Sequence, residues 1–139
     1  MTETLEKNAG SRTSTAQWRQ ARIIELLDDA LTGRDVARVK SFITPDCEIV
    51  FPGFSGTGHA GVDDMYRMID QLFTSVPTKS FDLWIHGETA VNVHGKLFGQ
   101  MTDGPSIDNA RYTDTFVFDA DGRISEWRVF NDVALLLLK

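Results

Sequence analysis

Asp114 stands within Tyr112-Thr-Asp-Thr-Phe-Val-Phe118, a carboxylate in the middle of an aromatic and β-branched run. An unpaired carboxylate among apolar neighbours is costly. Turned inward, Asp114 becomes either an acid of raised pKa or one half of a buried ion pair, with Arg111 or Arg128 as the candidate cation. A carboxyl kept neutral near pH 7 can donate a hydrogen bond to a substrate oxygen on which negative charge develops. His94 lies on another apolar segment; its imidazole titrates near working pH, so it serves as a pocket base if it faces inward and is a solvated residue otherwise. Asp132 closes the last strand-like run, where it caps a turn or contributes to the same site.

The remaining chemistry-bearing residues carry weaker signals. Lys96 reads as a solvated lysine, His59 as a loop histidine before a helix, and His86 as an exposed residue beside Gly87. The single cysteine, Cys47, falls in an apolar stretch that suits a buried, inert thiol. Three isolated histidines give no metal-binding spacing, so no metal and no cofactor are expected. No phosphate loop, nucleophile elbow or dinucleotide fingerprint is present. Phe51, Phe54, Tyr66, Trp84, Phe98 and Phe116, with Trp18 and His59, are the candidates to line an apolar pocket; plain core packing is the competing role for each aromatic.

These residues sit on a chain of 139 residues, enough for one domain. Hydrophobic residues make up 42% and charged residues 24%, an ordinary globular balance. The net charge of −6 and the scattered lysines and arginines argue against nucleic acid as a partner. The longest apolar run, Val133 to Leu138, is far short of a bilayer span and reads as a buried end or a subunit contact. Residues 1–15 are polar and lack the apolar core of a secretion signal, so they are expected to form a tail before a domain at 16–139. A soluble, cytoplasmic protein is expected.

From Ala16, apolar residues recur at helical spacing through Ile23, Ile24, Leu27, Ala30 and Leu31, with Trp18 near the start. Gly33 is placed to end this helix as a C′ glycine, and Asp35 to cap a second short helix that Pro45 stops. A strand follows over Cys47–Phe51, then a glycine loop over Phe54–Gly61, then a helix over Val62–Ser75 with Asp63 and Asp64 in its first turn. Strands are expected at Ser80–His86, Ala90–Met101, Ala110–Phe118 and Ile124–Phe130, joined by Gly-containing turns. Alternation puts Asn92, His94, Lys96 and Phe98 on one face and Val91, Val93 and Leu97 on the other, with Gly95 and Gly99 as possible bulge sites. Helices gathered at one end and strands at the other define an α+β domain with helices covering one face of a curved sheet.

The stretches GTGHAGVDDMYRMI (Gly56–Ile69) and YTDTFVFDADGRISEWRVFND (Tyr112–Asp132), in this order and after a helix-Gly-Asp start, resemble the SnoaL-like and ketosteroid isomerase-like branch of the nuclear transport factor 2-like superfamily. The resemblance covers about Ala16 to Leu136. It implies a cone-shaped curved antiparallel sheet with N-terminal helices packed on its concave face, an α+β barrel around one enclosed apolar pocket. It also implies a homodimer, formed through the outer sheet face. In ketosteroid isomerases the spacing D-x-x-x-F-D-x-x-G-R-I marks the protonated Asp that serves the oxyanion, which falls on Asp114 here. The general-base Asp of that family falls on Phe51 and its oxyanion tyrosine near Leu26, so the usual steroid proton shuttle is not expected. Limonene epoxide hydrolase-like members carry an Arg-x-Asp pair, which falls on His94 and Lys96, and a final-strand Asp that matches Asp132.

SnoaL-type cyclases pair Asp with His, a pairing that His94 with Asp114 or Asp132 could supply. The resemblance therefore implies a cofactor-independent acid/base enzyme: a cyclase, dehydratase or isomerase acting on a hydrophobic molecule with a carbonyl or hydroxyl group, as in polyketide-type metabolism. In this reading Asp114 is the acid, and His94 or Asp132 the base. Epoxide hydrolysis or epoxide-opening cyclisation, and a non-catalytic ligand-binding or dimerisation module of the same fold, are the alternatives.

Overall fold

The computed structural model describes residues 15–134. The expected tail therefore lies outside the described residues except for Thr15, which is already helical, and so does the apolar run beyond Ala134.

Helix α1 spans residues 15–31, and its last stretch, Glu25–Leu31, is wound as a π-helix. Its stripe of Ile23, Leu26, Leu27, Ala30 and Leu31 is buried, while Ile24 falls off the stripe and is exposed. The expected left-handed C′ glycine is not Gly33. Arg34 takes the positive φ of 56°, and its guanidinium anchors it through two bonds to Asp70 at 2.9 and 3.0 Å. Helix α2 (Val36–Ser41) is capped as expected, with the Asp35 carboxylate accepting from the Arg38 N–H.

Strand β1 (Ile43–Phe51) begins four residues before the expected start and runs through Pro45. The proline is tolerated because the pairing with β7 is irregular between Ile43 and Glu48, where no ladder N–H is demanded of it. Strand β2 (Phe54–Thr57) folds back on β1 with Phe51 opposite Phe54, so the expected glycine loop is a hairpin strand followed directly by helix α3 (Gly58–Leu72). Close packing explains the difference. A Cβ on Gly61 would meet the Gly56 backbone at 3.0 Å, so glycines that read as loop residues let the helix lie against β2. Asp63 and Asp64 consequently fall in the second turn of α3, where they pair with Lys40 and Arg67.

The single expected strand over Ser80–His86 is two, β3 (Thr78–Lys79) and β4 (Leu83–His86), both paired with β5 (Ala90–Gln100). Strands β6 (Ser106–Phe118) and β7 (Ile124–Asn131) complete the sheet in the order β2-β1-β7-β6-β5-β3. Every pairing is antiparallel except β1 with β7, which is parallel. The extra residue between β5 and β6 is Asn109, at φ 87°, opposite the Leu97–Phe98 step; Gly95 and Gly99 stay in register with β6, while on its other edge Gly95 faces the irregular stretch between β3 and β4.

Alternation gives the sheet two chemically distinct faces. The inner face carries Val91, Val93, Leu97, Tyr112, Phe116, Phe118, Trp127 and Val129, all buried beneath α1 and α3. Phe116 and Trp127 stack with ring centroids 6.0 Å apart at its centre. Removing such a ring leaves a cavity the neighbours cannot fill. Phe116→Ala is expected to lower stability by about 3–5 kcal/mol, whereas Phe130→Ala, at an exposed outer position, should stay within ~1 kcal/mol. Urea denaturation of the two variants checks the contrast.

Candidate functional site

Asp114 points inward from the middle of β6 and is fully buried. It lies between Val93 of β5 and Val129 of β7, its opposite numbers across the sheet. Neither expected arginine reaches it. Arg111 lies out on Asp132, and Arg128 bonds Glu48. The partner is Lys79, whose Nζ sits 2.5 Å from Asp114 Oδ2, while Oδ1 has no hydrogen-bond partner. Burial pushes the Asp114 carboxyl above the usual carboxylate range, against the opposing charge and hydrogen bond of Lys79.

Lys79 reaches Asp114 because β3 is set one residue out of phase with β4. Lys79 lies opposite Leu97 and Leu83 opposite His94, so four residues of one edge span three of the other. The extra residue turns the Ser80 carbonyl out of the ladder. That carbonyl accepts the Tyr112 hydroxyl at 2.6 Å, while the Ser80 hydroxyl takes the Lys96 N–H at 2.9 Å. Gly95 makes the arrangement possible, since a Cβ there would sit 2.0 Å from the Ser80 oxygen and 2.9 Å from the Tyr112 ring. The Tyr112 ring lies 4.6 Å from Lys79 Nζ and adds a cation–π contact. Burial, and then the charges of Asp114 and Asp82, push the phenol upward, so Tyr112 remains a hydroxyl donor at all ordinary pH values.

Lys79 also lines a cavity of about 50 Å³ with Leu31, Phe51, Met68, Ile69, Phe73, Val76 and Asn131 among its walls. An adjoining cavity of about 140 Å³ shares Phe51, Met68, Phe73 and Asn131 with it and extends to Leu72, Met101 and Val133. The expected single enclosed pocket is thus a pair of adjoining apolar hollows, neither sealed from solvent. The polar residues in their walls are Lys79 and Asn131, and Lys79 is the residue that pairs with the buried Asp114. Such a set can bind an oxygen-bearing apolar molecule, hold an oxyanion and exchange a proton.

The other expected site residues lie elsewhere, and two of them, His94 and Asp132, line one open depression of about 310 Å³ with Arg111, Thr113 and Phe130. His94 is exposed on the outer face, directly opposite Leu83 and Thr113, because alternation sends it away from its neighbour Val93. It does not meet Asp114. Asp132 sits at the sheet's end, where it accepts from the Arg111 N–H at 2.8 Å and from its Nε at 3.0 Å. Partial burial pushes the Asp132 carboxyl upward, but the Arg111 bonds and charge outweigh this and hold it below its ordinary value. Of the expected lining residues, Phe51 alone borders the hollows containing Lys79 or Asn131. Phe54 packs edge-on against Phe51, Tyr66 donates its hydroxyl to the Leu31 carbonyl, Trp84 stacks on Phe81, and Phe116 stacks on Trp127. Phe98 is half-buried on the outer side of β5, His59 is exposed in the first turn of α3, and Trp18 is exposed against Phe118. Cys47 is buried and its thiol is pushed up to about 12 by burial, so it is inert as expected.

Residues 23–127 match the SnoaL-like domain. The chain belongs to the SnoaL-like family. No curated protein sequence matches it. Among solved structures, TerC co-crystallized with polyporic acid is similar at a TM-score of 0.74 and 17% identity, covering 87% of this chain and 98% of its own. An NTF2-like protein of unknown function from Burkholderia pseudomallei K96243 gives 0.74 and 20%, covering 86% and 95%. A protein described as a SnoaL-like polyketide cyclase, from Shewanella putrefaciens CN-32, gives 0.70 and 14%, covering 87% and 86%. At these identities the likeness establishes the NTF2-like fold, which hosts many chemistries. Among the described residues, no helix is long and apolar enough to cross a membrane, and no cluster of ligating side chains could hold a metal ion.

Because Asp114 binds its proton more tightly folded than unfolded, its contribution to stability is fully present below the unfolded pKa and is lost as pH rises through the folded pKa. Asp114→Asn removes that dependence. The stability of the variant relative to the native protein should therefore improve steadily as pH rises from about 4. Parallel thermal melts across pH check this, and a constant difference between the two proteins would contradict it.

Proposed function

We propose that this SnoaL-like chain is a cofactor-independent acid/base enzyme: a cyclase, dehydratase or isomerase acting on a hydrophobic small molecule with a carbonyl or hydroxyl group, of polyketide type. The observation that carries the reading is the buried Lys79–Asp114 pair at the wall of an apolar hollow. A substrate oxygen placed at Lys79 Nζ would have its developing negative charge met by the amine, with Asp114 holding the shared proton and the Asn131 amide orienting the ligand. His94 and Asp132, expected as bases, have no part in it. The polyketide cyclase-like and polyporic acid-bound neighbours support the substrate class by analogy. The working unit in this proposal is the domain over 16–139, in the cytoplasm.

A positioned acid/base group contributes ~10²–10⁴-fold to rate. Lys79→Met and Asp114→Asn should each lower turnover by about that factor once a substrate is in hand. A thermal-shift screen of polycyclic ketones and phenols finds the ligand first, since one present at ~100 times its Kd adds about 2.7 kcal/mol. Stabilisation of native protein that Lys79→Met loses supports the reading. An equal response in native protein and Lys79→Met sinks it. The second reading, a binding module without turnover, is favoured by the placement of His94 outside the hollow, which leaves the Lys79–Asp114 pair without a separate base beside it. It is distinguished by ligand binding with no product.

Self-association through the outer sheet face belongs to the same proposal. Leu83, His94, Thr113 and Phe130 form one cross-strand row on that face, and Leu83, Phe130 and the nearby Ile85 are about half exposed. A homodimer that covers this row should give a solution mass of two chains, and Phe130→Asp should return it to one. Light scattering on both proteins decides it; a native mass of one chain removes the dimer.

A further inference from the structure

Asp114 has one partner, and among the described residues nothing can replace it. Its Oδ2 meets Lys79, its Oδ1 meets no donor, and its side chain is wholly out of water. The groups around it are the Val93 and Val129 side chains across the sheet and the Tyr112 ring two residues before it on the same face. The α1 and α3 residues that line the hollow with Lys79, namely Leu31, Met68 and Ile69, are apolar. Lys79 is the one charged group that acts on Asp114; Asp82, further out, acts on Tyr112. Lys79, by contrast, keeps 11% of its side-chain surface accessible and forms part of the cavity wall.

We infer that the cavity binds its ligand as an apolar anion, an enolate, phenolate or carboxylate held by the Lys79 ammonium, and that Asp114 takes up one proton from solvent when it does so. The inference rests on the ligand-binding reading above and specifies the charge of the ligand. An anion in the hollow draws the ammonium toward itself. Asp114 would then be left as a bare carboxylate in an apolar shell, which is far more costly than protonating it. The balance is simple: a carboxylate, an ammonium and an anionic ligand plus one proton become a carboxylic acid, an ammonium and a bound anion. The only bond made is the O–H of Asp114, with a proton from solvent, and the site is electrically neutral before and after. A neutral ligand triggers no such uptake. Where Asp114 is ionised in the free protein, anion affinity therefore falls as pH rises, by up to tenfold per pH unit.

The test is isothermal calorimetry on the full chain with trans-cinnamate and its neutral analogue cinnamamide, from about pH 6 to about pH 9 in buffers of differing ionisation enthalpy. Cinnamate stays ionised throughout that range, so any pH dependence belongs to the protein. Cinnamate should bind with net proton uptake approaching one per site and weaken with rising pH, while cinnamamide shows neither. Asp114→Asn should abolish the uptake and the slope and bind cinnamate more tightly at the alkaline end. Lys79→Met should lose the preference for the acid over the amide. Cinnamate binding with no proton uptake and no slope overturns the proton coupling and leaves the ligand-binding reading standing; so does a slope that survives in Asp114→Asn. If neither compound binds the folded native protein, the ligand-binding reading falls and the inference with it. Proton uptake by the native protein decides the matter alone should a variant fail to fold.

Discussion

The structure depends on one expensive act, the burial of the Asp114 carboxylate inside an apolar cone. Everything nearby serves to make that burial tolerable. Among the described residues Lys79 supplies the only compensating charge, and it can do so because β3 slips one residue out of phase with β4. The slip is fixed by the Tyr112 hydroxyl on the Ser80 carbonyl, and the absence of a side chain at Gly95 leaves room for both. A buried ion pair is poor evidence for stability, because apolar residues of similar size would do as well or better. Its retention in a core built otherwise of Val, Leu, Phe and Trp is a functional signal.

The two faces of the sheet divide the labour. Inward residues of β5, β6 and β7 form an apolar wall in which Asp114 is the one charged side chain among the described residues, met by Lys79 of β3 and roofed by α1 and α3. Outward residues form a polar ladder, in which Asn92 bonds Thr113 and Thr115, flanked by exposed Leu83, Ile85 and Phe130. His94 belongs to this second surface, where its imidazole neighbours hydroxyls and apolar edges. Asp132, just past the end of β7, holds Arg111 of β6 and so pins the strand that carries Asp114. Asp132 thus matters to the shape of the site without entering it, while His94 stands apart from it.

Much of this was legible in the sequence where periodicity was unbroken. The α1 stripe, the Asp35 cap, the β5 and β6 faces and the inward Asp114 all follow from simple alternation or helical spacing. Legibility failed where backbone irregularity shifts the phase. Counting alternation back from Trp84, which lies inward opposite Val93, sends Lys79 to the outside; the one extra residue near Ser80 brings it in. No local feature of Pro77-Thr-Lys-Ser-Phe announces that slip, because its cause is a tyrosine hydroxyl more than thirty residues away. The Gly56–Gly61 segment misled for a related reason. Glycines that signal a loop in isolation here permit close contact between a helix and a strand.

The parallel pairing of β1 with β7 ties the start of the sheet to its end. During synthesis, β1, β2 and α3 emerge long before the strand that joins their hairpin to the rest of the sheet. Until Ile124–Asn131 leaves the ribosome, the only ladder open to β1 is its own hairpin with β2, and its other edge stays unpaired. The first half of the chain is thus obliged to wait, and assembly of the cone is an event of the finished polypeptide. Long-range strand pairing of this kind slows folding and leaves an edge open to wrong partners meanwhile.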